Sequence, residues 1–107
     1  MRTTGTGGAM VLTALLATAV AHAHDLNNGR VIAQVWCGNC HRIGPDAQSA
    51  THDATPTFSS IARKRTTATA SLATFLKARH GGMPDLSLTR NEIDDVSAYI
   101  LSLRGVP

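Results

Sequence analysis

Two cysteines stand three positions apart and a histidine follows at once, in the run Cys37-Gly38-Asn39-Cys40-His41. Thiols at that spacing can add to the two vinyl groups on one edge of a haem. The adjacent imidazole is then carried beneath the iron as an axial ligand. Covalent attachment also keeps a cofactor from being lost by a small domain outside the cytoplasm. The run therefore reads as the site of a single haem c, joined through Cys37 and Cys40, with His41 on its iron.

The other face of the iron needs its own donor. Met1 and Met10 fall in the N-terminal segment read below as a leader, so Met83 is the one methionine of the remaining chain. A lone methionine is ordinarily core filler. This one stands in His80-Gly81-Gly82-Met83-Pro84, where glycines permit close backbone approach and proline stiffens the turn. Met83 is the expected distal ligand. His80 is the alternative, giving two imidazoles, and an open distal position is a third arrangement. Pro45 has a candidate supporting role: its carbonyl could accept the Nδ1 proton of His41, fixing the ring and raising its basicity. Otherwise it is a simple turn proline.

Two other chemistries use paired cysteines. A structural zinc site wants four nitrogen or sulfur ligands, usually from two such pairs. Only one pair is present, and His24, His52 and His80 show no paired spacing. Trp36-Cys37-Gly38-Asn39-Cys40 is superficially like a thioredoxin-type dithiol, but there the thiols follow a buried strand. Here a helix-like segment precedes them and Gly44-Pro45 follows almost at once.

Helices must position these groups. Asn27 or Asn28 is a candidate cap for a first helix, with Val31, Ile32, Val35 and Trp36 along one face. Gly29 and Ala33, small and one turn apart, would let another helix approach closely. This helix should run into Cys37. Gly44-Pro45 stops it, and residues 46–56 form a polar loop. Phe58 to Lys64 reads as a short helix with Phe58, Ile61 and Ala62 inward. Another starts near Thr67 or Thr69, with Leu72, Phe75 and Leu76 as its apolar stripe, and the Gly-Gly-Met-Pro turn ends it. Thr89-Arg90-Asn91-Glu92 fits a capping box, and Ile93, Val96, Ile100 and Leu103 follow at helical spacing. Gly105 is a plausible stop. With no convincing strand and no repeat, the expected class is all-α.

The chain has 107 residues, enough for one small domain. Arg2 precedes an apolar, alanine-rich run from Ala9 to Ala21, which ends in Ala21-His22-Ala23. The small-x-small ending is what signal peptidase cuts after. At about 13 residues the run is shorter than the roughly 20 that span a bilayer. Residues 1–23 are expected to be a cleaved signal peptide and 24–107 the functional domain, an uncleaved anchor being the alternative. Trp36, Phe58, Phe75 and Tyr99 are the complete aromatic set, and two cysteines three apart staple nothing. A large apolar cofactor would supply the interior such a small domain lacks. The formal charge of +3 falls to +2 without Arg2. That is too mild for a nucleic-acid binder, and Arg63-Lys64-Arg65 reads as a solvated helix end.

With these residues in place, the chain resembles the class I cytochromes c, specifically the small monohaem bacterial periplasmic type. The matching features run in order from Gly29 through Cys37-x-x-Cys40-His41, Gly44-Pro45 and Met83-Pro84 to a last helix bearing Tyr99. They cover Gly29 to Leu103. The resemblance implies the cytochrome c fold: N- and C-terminal helices crossing at Gly29 and Ala33, near Tyr99 and Ile100, with short helices and loops around one covalent haem. Ala33 stands where the family often has a larger residue, which bears on helix packing. Function would be outer-sphere single-electron transfer in the periplasm, not catalysis. Partners would be redox proteins docking transiently at the haem edge: a dehydrogenase, a cytochrome complex, or a terminal oxidase or reductase. Neither nucleic acid nor stable membrane insertion after cleavage is expected. The competing readings are a haem enzyme or a gas or peroxide sensor with an open distal site, and a cytochrome subunit dedicated to one periplasmic dehydrogenase.

Overall fold

The computed structural model describes residues 24–47 and 55–107, together with Thr4, Gly5 and Gly8. The rest of the expected signal peptide, its cleavage point and residues 48–54 of the polar loop lie outside the described residues. The described residues form four α-helices: α1 (Leu26–Ile32), α2 (Phe58–Arg63), α3 (Thr69–Lys77) and α4 (Arg90–Ser102). A wider π turn, Ala33–Cys37, continues α1, and a 3₁₀ turn, Leu103–Gly105, continues α4. Among the described residues there is no strand, and no helix is long and apolar enough to cross a membrane.

The capping box of α4 forms as its sequence dictates. Thr89 Oγ1 accepts the Glu92 N–H at 3.3 Å, and Glu92 Oε2 accepts the Thr89 N–H at 2.7 Å. Ile93, Val96 and Ile100 turn inward, and Leu103 is buried in the 3₁₀ turn that follows. The start of α1 departs from expectation: Asp25 caps it, accepting the Asn28 N–H at 3.0 Å. This frees the Asn28 amide to donate to Asp95 Oδ2 at 2.8 Å, while the Asp25 N–H donates to Asp95 Oδ1 at 2.9 Å. One α4 carboxylate thus ties down the beginning of α1.

The crossing itself depends on glycine. A Cβ on Gly29 would lie 2.7 Å from the Asp95 carbonyl carbon and 2.9 Å from Tyr99 Cβ, and would collide with the Asp95 carbonyl oxygen. Only a residue without a side chain lets the two backbones meet so closely. The contact between α1 and α4 is the most extensive between elements of the domain.

The inward face of α1 differs from the expected one. Gly29, Ile32, Ala33 and Cys37 are buried, whereas Val31, Val35 and Trp36 are all more than half exposed. Two causes act together. The crossing point is Gly29, so the buried face is the one running through it. The π turn, closed by the Gly38 N–H on the Ala33 carbonyl at 2.8 Å, then spends an extra residue per turn and swings Trp36 away.

The short helices complete the core. Thr57 caps α2, its Oγ1 accepting the Ser60 N–H at 3.1 Å. Phe58 and Ala62 are buried there, and Leu72 is buried on α3. Phe75, expected inward on α3, is instead 46% exposed. Arg104 binds α2 and the following loop to the C-terminal turn, donating to the Ala62 carbonyl at 2.9 Å and the Thr67 carbonyl at 2.8 Å.

Candidate haem-attachment site

The first cysteine is delivered by the α1–α4 crossing. Cys37 ends the π turn and is buried at 7% exposure, among Ile32, Ala33, Ile43 and Phe58 of the core. Beyond it the chain tightens, with the Cys40 and His41 N–H groups both donating to the Cys37 carbonyl, at 3.1 and 2.9 Å. Cys40 is exposed, and both thiols are free. One sulfur is thus anchored in the core and the other faces out.

His41 is held from two sides. Its ring lies 5.5 Å from that of Phe58, which is 6.4 Å from that of Tyr99. The Tyr99 hydroxyl in turn donates to the Ile43 carbonyl at 2.8 Å. The His41 Nδ1–H donates to the carbonyl of Pro56 at 2.6 Å. A carbonyl only accepts, so this bond fixes the proton on Nδ1 and leaves the Nε2 lone pair for a metal.

That acceptor corrects the expectation for Pro45. The Pro45 carbonyl is taken by the Arg42 guanidinium, whose Nη2 donates to it at 2.7 Å. Arg42 Nε also points at the Gly44 carbonyl, at 3.4 Å. The permanently charged guanidinium, two and three residues upstream, holds those carbonyls, and the imidazole bonds to Pro56 instead. The start of α2 lies at the site, where the Phe58 N–H donates to the Arg42 carbonyl at 3.0 Å and brings Pro56 against the ring. Nothing in the run from His41 to Pro45 signals this. The available hint was the proline before Thr57, whose carbonyl lies just outside α2.

Met83 is half-buried and sits in a turn that its own N–H closes on the His80 carbonyl at 3.1 Å. Gly82 has φ +81°, a left-handed value that requires glycine. His80 stacks on Phe75, with ring centroids 3.4 Å apart and planes 21° apart.

The rival chemistries find little here. Burial pushes the Cys37 thiol up to about 11, the opposite of what a reactive dithiol needs. A helix, not a strand, leads into it. Among the described residues no three His, Cys, Asp or Glu side chains gather into a metal-binding group. The donor set does fit a haem: two free thiols at the required spacing, and beside them an imidazole with its Nε2 free. An open recess lined by Gln34, Gly38, Asn39, His41, Ile43 and Ala47 adjoins them.

A helical domain whose crossing terminal helices present such a motif defines the class of covalent haem c proteins. The comparisons place the chain within it. The family model for cytochrome c oxidase, cbb3-type, subunit III, matches residues 24–100. Cytochrome c-552 of Bradyrhizobium diazoefficiens is 37% identical over 98 residues, covering 92% of this chain and 93% of that protein. No solved structure matches it significantly. The chain belongs to this cytochrome c family, as a small monohaem class I member that binds haem c covalently and carries electrons.

Proposed function

We propose that this chain is a periplasmic carrier passing single electrons through a haem joined to Cys37 and Cys40 and ligated by His41 and Met83. The observation that carries the reading is the His41 ring, tied at Nδ1 to the Pro56 carbonyl and standing beside two free thiols. The bound haem supplies the one-electron couple. His41 contributes an oriented nitrogen made more basic by its hydrogen bond. The soft Met83 thioether favours the reduced metal and raises the potential. With His41 and Met83 both available to hold the iron, electron transfer would need no substrate to bind and no ligand to leave. The role is transfer, not catalysis.

Redox partners of the dehydrogenase, cytochrome-complex or terminal oxidase class dock transiently at the haem edge through a small interface. Export is supported by the Ala21-His22-Ala23 ending and by the start of the family match at His24.

The decisive test is the absorption spectrum in both redox states, on protein matured in a periplasm with haem-attachment machinery. Sharp c-type bands when reduced and a weak near-infrared Met–iron band when oxidised are the expected result. Rapid carbon monoxide binding at neutral pH, with that band missing, would instead identify an open-site enzyme or sensor. The mature polypeptide should begin at His24 by mass spectrometry, and a mass retaining residues 1–23 would refute cleavage.

A further inference from the structure

We propose that Phe75 and His80 are positioning residues for Met83: their ring stack holds the turn that carries the thioether and so sets how firmly the sulfur stays on the iron. The inference rests on the ligation of Met83 proposed above.

Phe75 is a large apolar ring left nearly half exposed at the end of α3. It is not unpartnered, because the imidazole of His80 lies over it at 3.4 Å with the planes only 21° apart. The same residue, His80, is the acceptor that closes the turn on the Met83 N–H. Ring and carbonyl belong to one residue, so fixing the ring fixes the turn.

Support from elsewhere is scarce on this side. Among the described residues, a Cβ on Gly81 or Gly82 would meet nothing within 4 Å, so none of them packs against the tip at these two glycines. Downstream of Met83 the chain is tethered by Leu86 and Leu88, which pack against the core. Upstream, the Phe75–His80 stack is the matching tether. The stack also explains why a stripe residue of α3 stays outside the core.

The test uses holoprotein variants, read by the near-infrared band of the oxidised form and by carbon monoxide binding to the reduced form. Losing an aromatic pair should raise the population of the Met-detached turn roughly three- to tenfold. Phe75→Ala and His80→Ala should therefore weaken the band and speed carbon monoxide binding by about that factor. Phe75→Tyr and His80→Phe keep a ring in place and should restore both. If Phe75→Ala and His80→Ala match the parent while Met83→Ala loses the band, positioning is overturned and ligation stands. A Met83→Ala variant that keeps the band overturns both together. If His80→Phe binds carbon monoxide as fast as His80→Ala, the imidazole nitrogen matters and not the ring, and the proposal fails.

Discussion

Gly29→Ala probes the crossing on which the position of Cys37 depends. The new Cβ would sit 2.7 Å from the Asp95 carbonyl carbon and 2.9 Å from Tyr99 Cβ, against 3.4–4 Å for ordinary contact. The Asp95 atoms are backbone, so no rotamer change relieves them, and the helices must part. Two effects oppose each other. Alanine is favoured over glycine within a helix by about 1 kcal/mol, whereas forced overpacking costs about 1–3 kcal/mol and sometimes more. Parting α1 from α4 also stretches the Asp95 bracket on Asp25 and Asn28. The cost therefore lies at the upper end, for a net loss of about 2 kcal/mol. For a domain of this size that lowers Tm by roughly 8–16 °C. Thermal unfolding of the oxidised holoprotein, followed by circular dichroism, measures it. Gly105→Ala is the control, since its Cβ would meet nothing within 4 Å. A Gly29→Ala protein with unchanged or raised Tm would refute the close crossing.

Four further outcomes are expected. Ser97→Ala should be neutral or slightly stabilising in denaturant titration, because the buried Ser97 hydroxyl has no hydrogen-bond partner among the described residues. A loss above about 1 kcal/mol would mean that the hydroxyl is satisfied after all. Thr89→Ala removes the capping box and should cost about 1 kcal/mol in the same titration, with Thr89→Ser largely sparing it. Arg104→Lys should lose nearly as much stability as Arg104→Met, since one ammonium cannot serve both the Ala62 and Thr67 carbonyls; parent-like stability with lysine would show that charge alone matters. Before haem attachment, iodoacetamide near neutral pH should modify exposed Cys40 well ahead of Cys37, whose buried thiol is pushed up to about 11. Equal rates by mass spectrometry would contradict the burial of Cys37.

The helices were legible where local chemistry decides them. The Thr89–Glu92 box and the Ile93, Val96, Ile100, Leu103 spacing define α4 without reference to anything else, and both appear as read. On α1 the apolar pattern misled. Val31, Val35 and Trp36 are apolar at helical spacing, yet the buried face is chosen by where α4 can come closest, at Gly29. The π turn then changes the period itself, and no periodicity argument that assumes 3.6 residues per turn contains that change. The cap shifted for a related reason. Asp25 and Asn28 are both good capping residues, and the choice between them is settled by Asp95, distant in sequence, which claims the Asn28 amide.

The candidate site divides along the same line. Cys37, Cys40 and His41 lie within one five-residue run, so their juxtaposition follows from the chain itself and could be read directly. The partner of the His41 ring could not, because it depends on where Pro56, fifteen residues further on, comes to lie. Two prolines offered carbonyls, and Pro45 was nearer in sequence, but its carbonyl lies within reach of Arg42. The guanidinium takes that carbonyl through a charge-assisted bond, and the ring finds its acceptor at Pro56, just before α2. Arg42 is then more than a surface charge. It holds the Gly44 and Pro45 carbonyls of the turn after His41, while the ring takes the Pro56 carbonyl and with it the tautomer that leaves Nε2 without a proton.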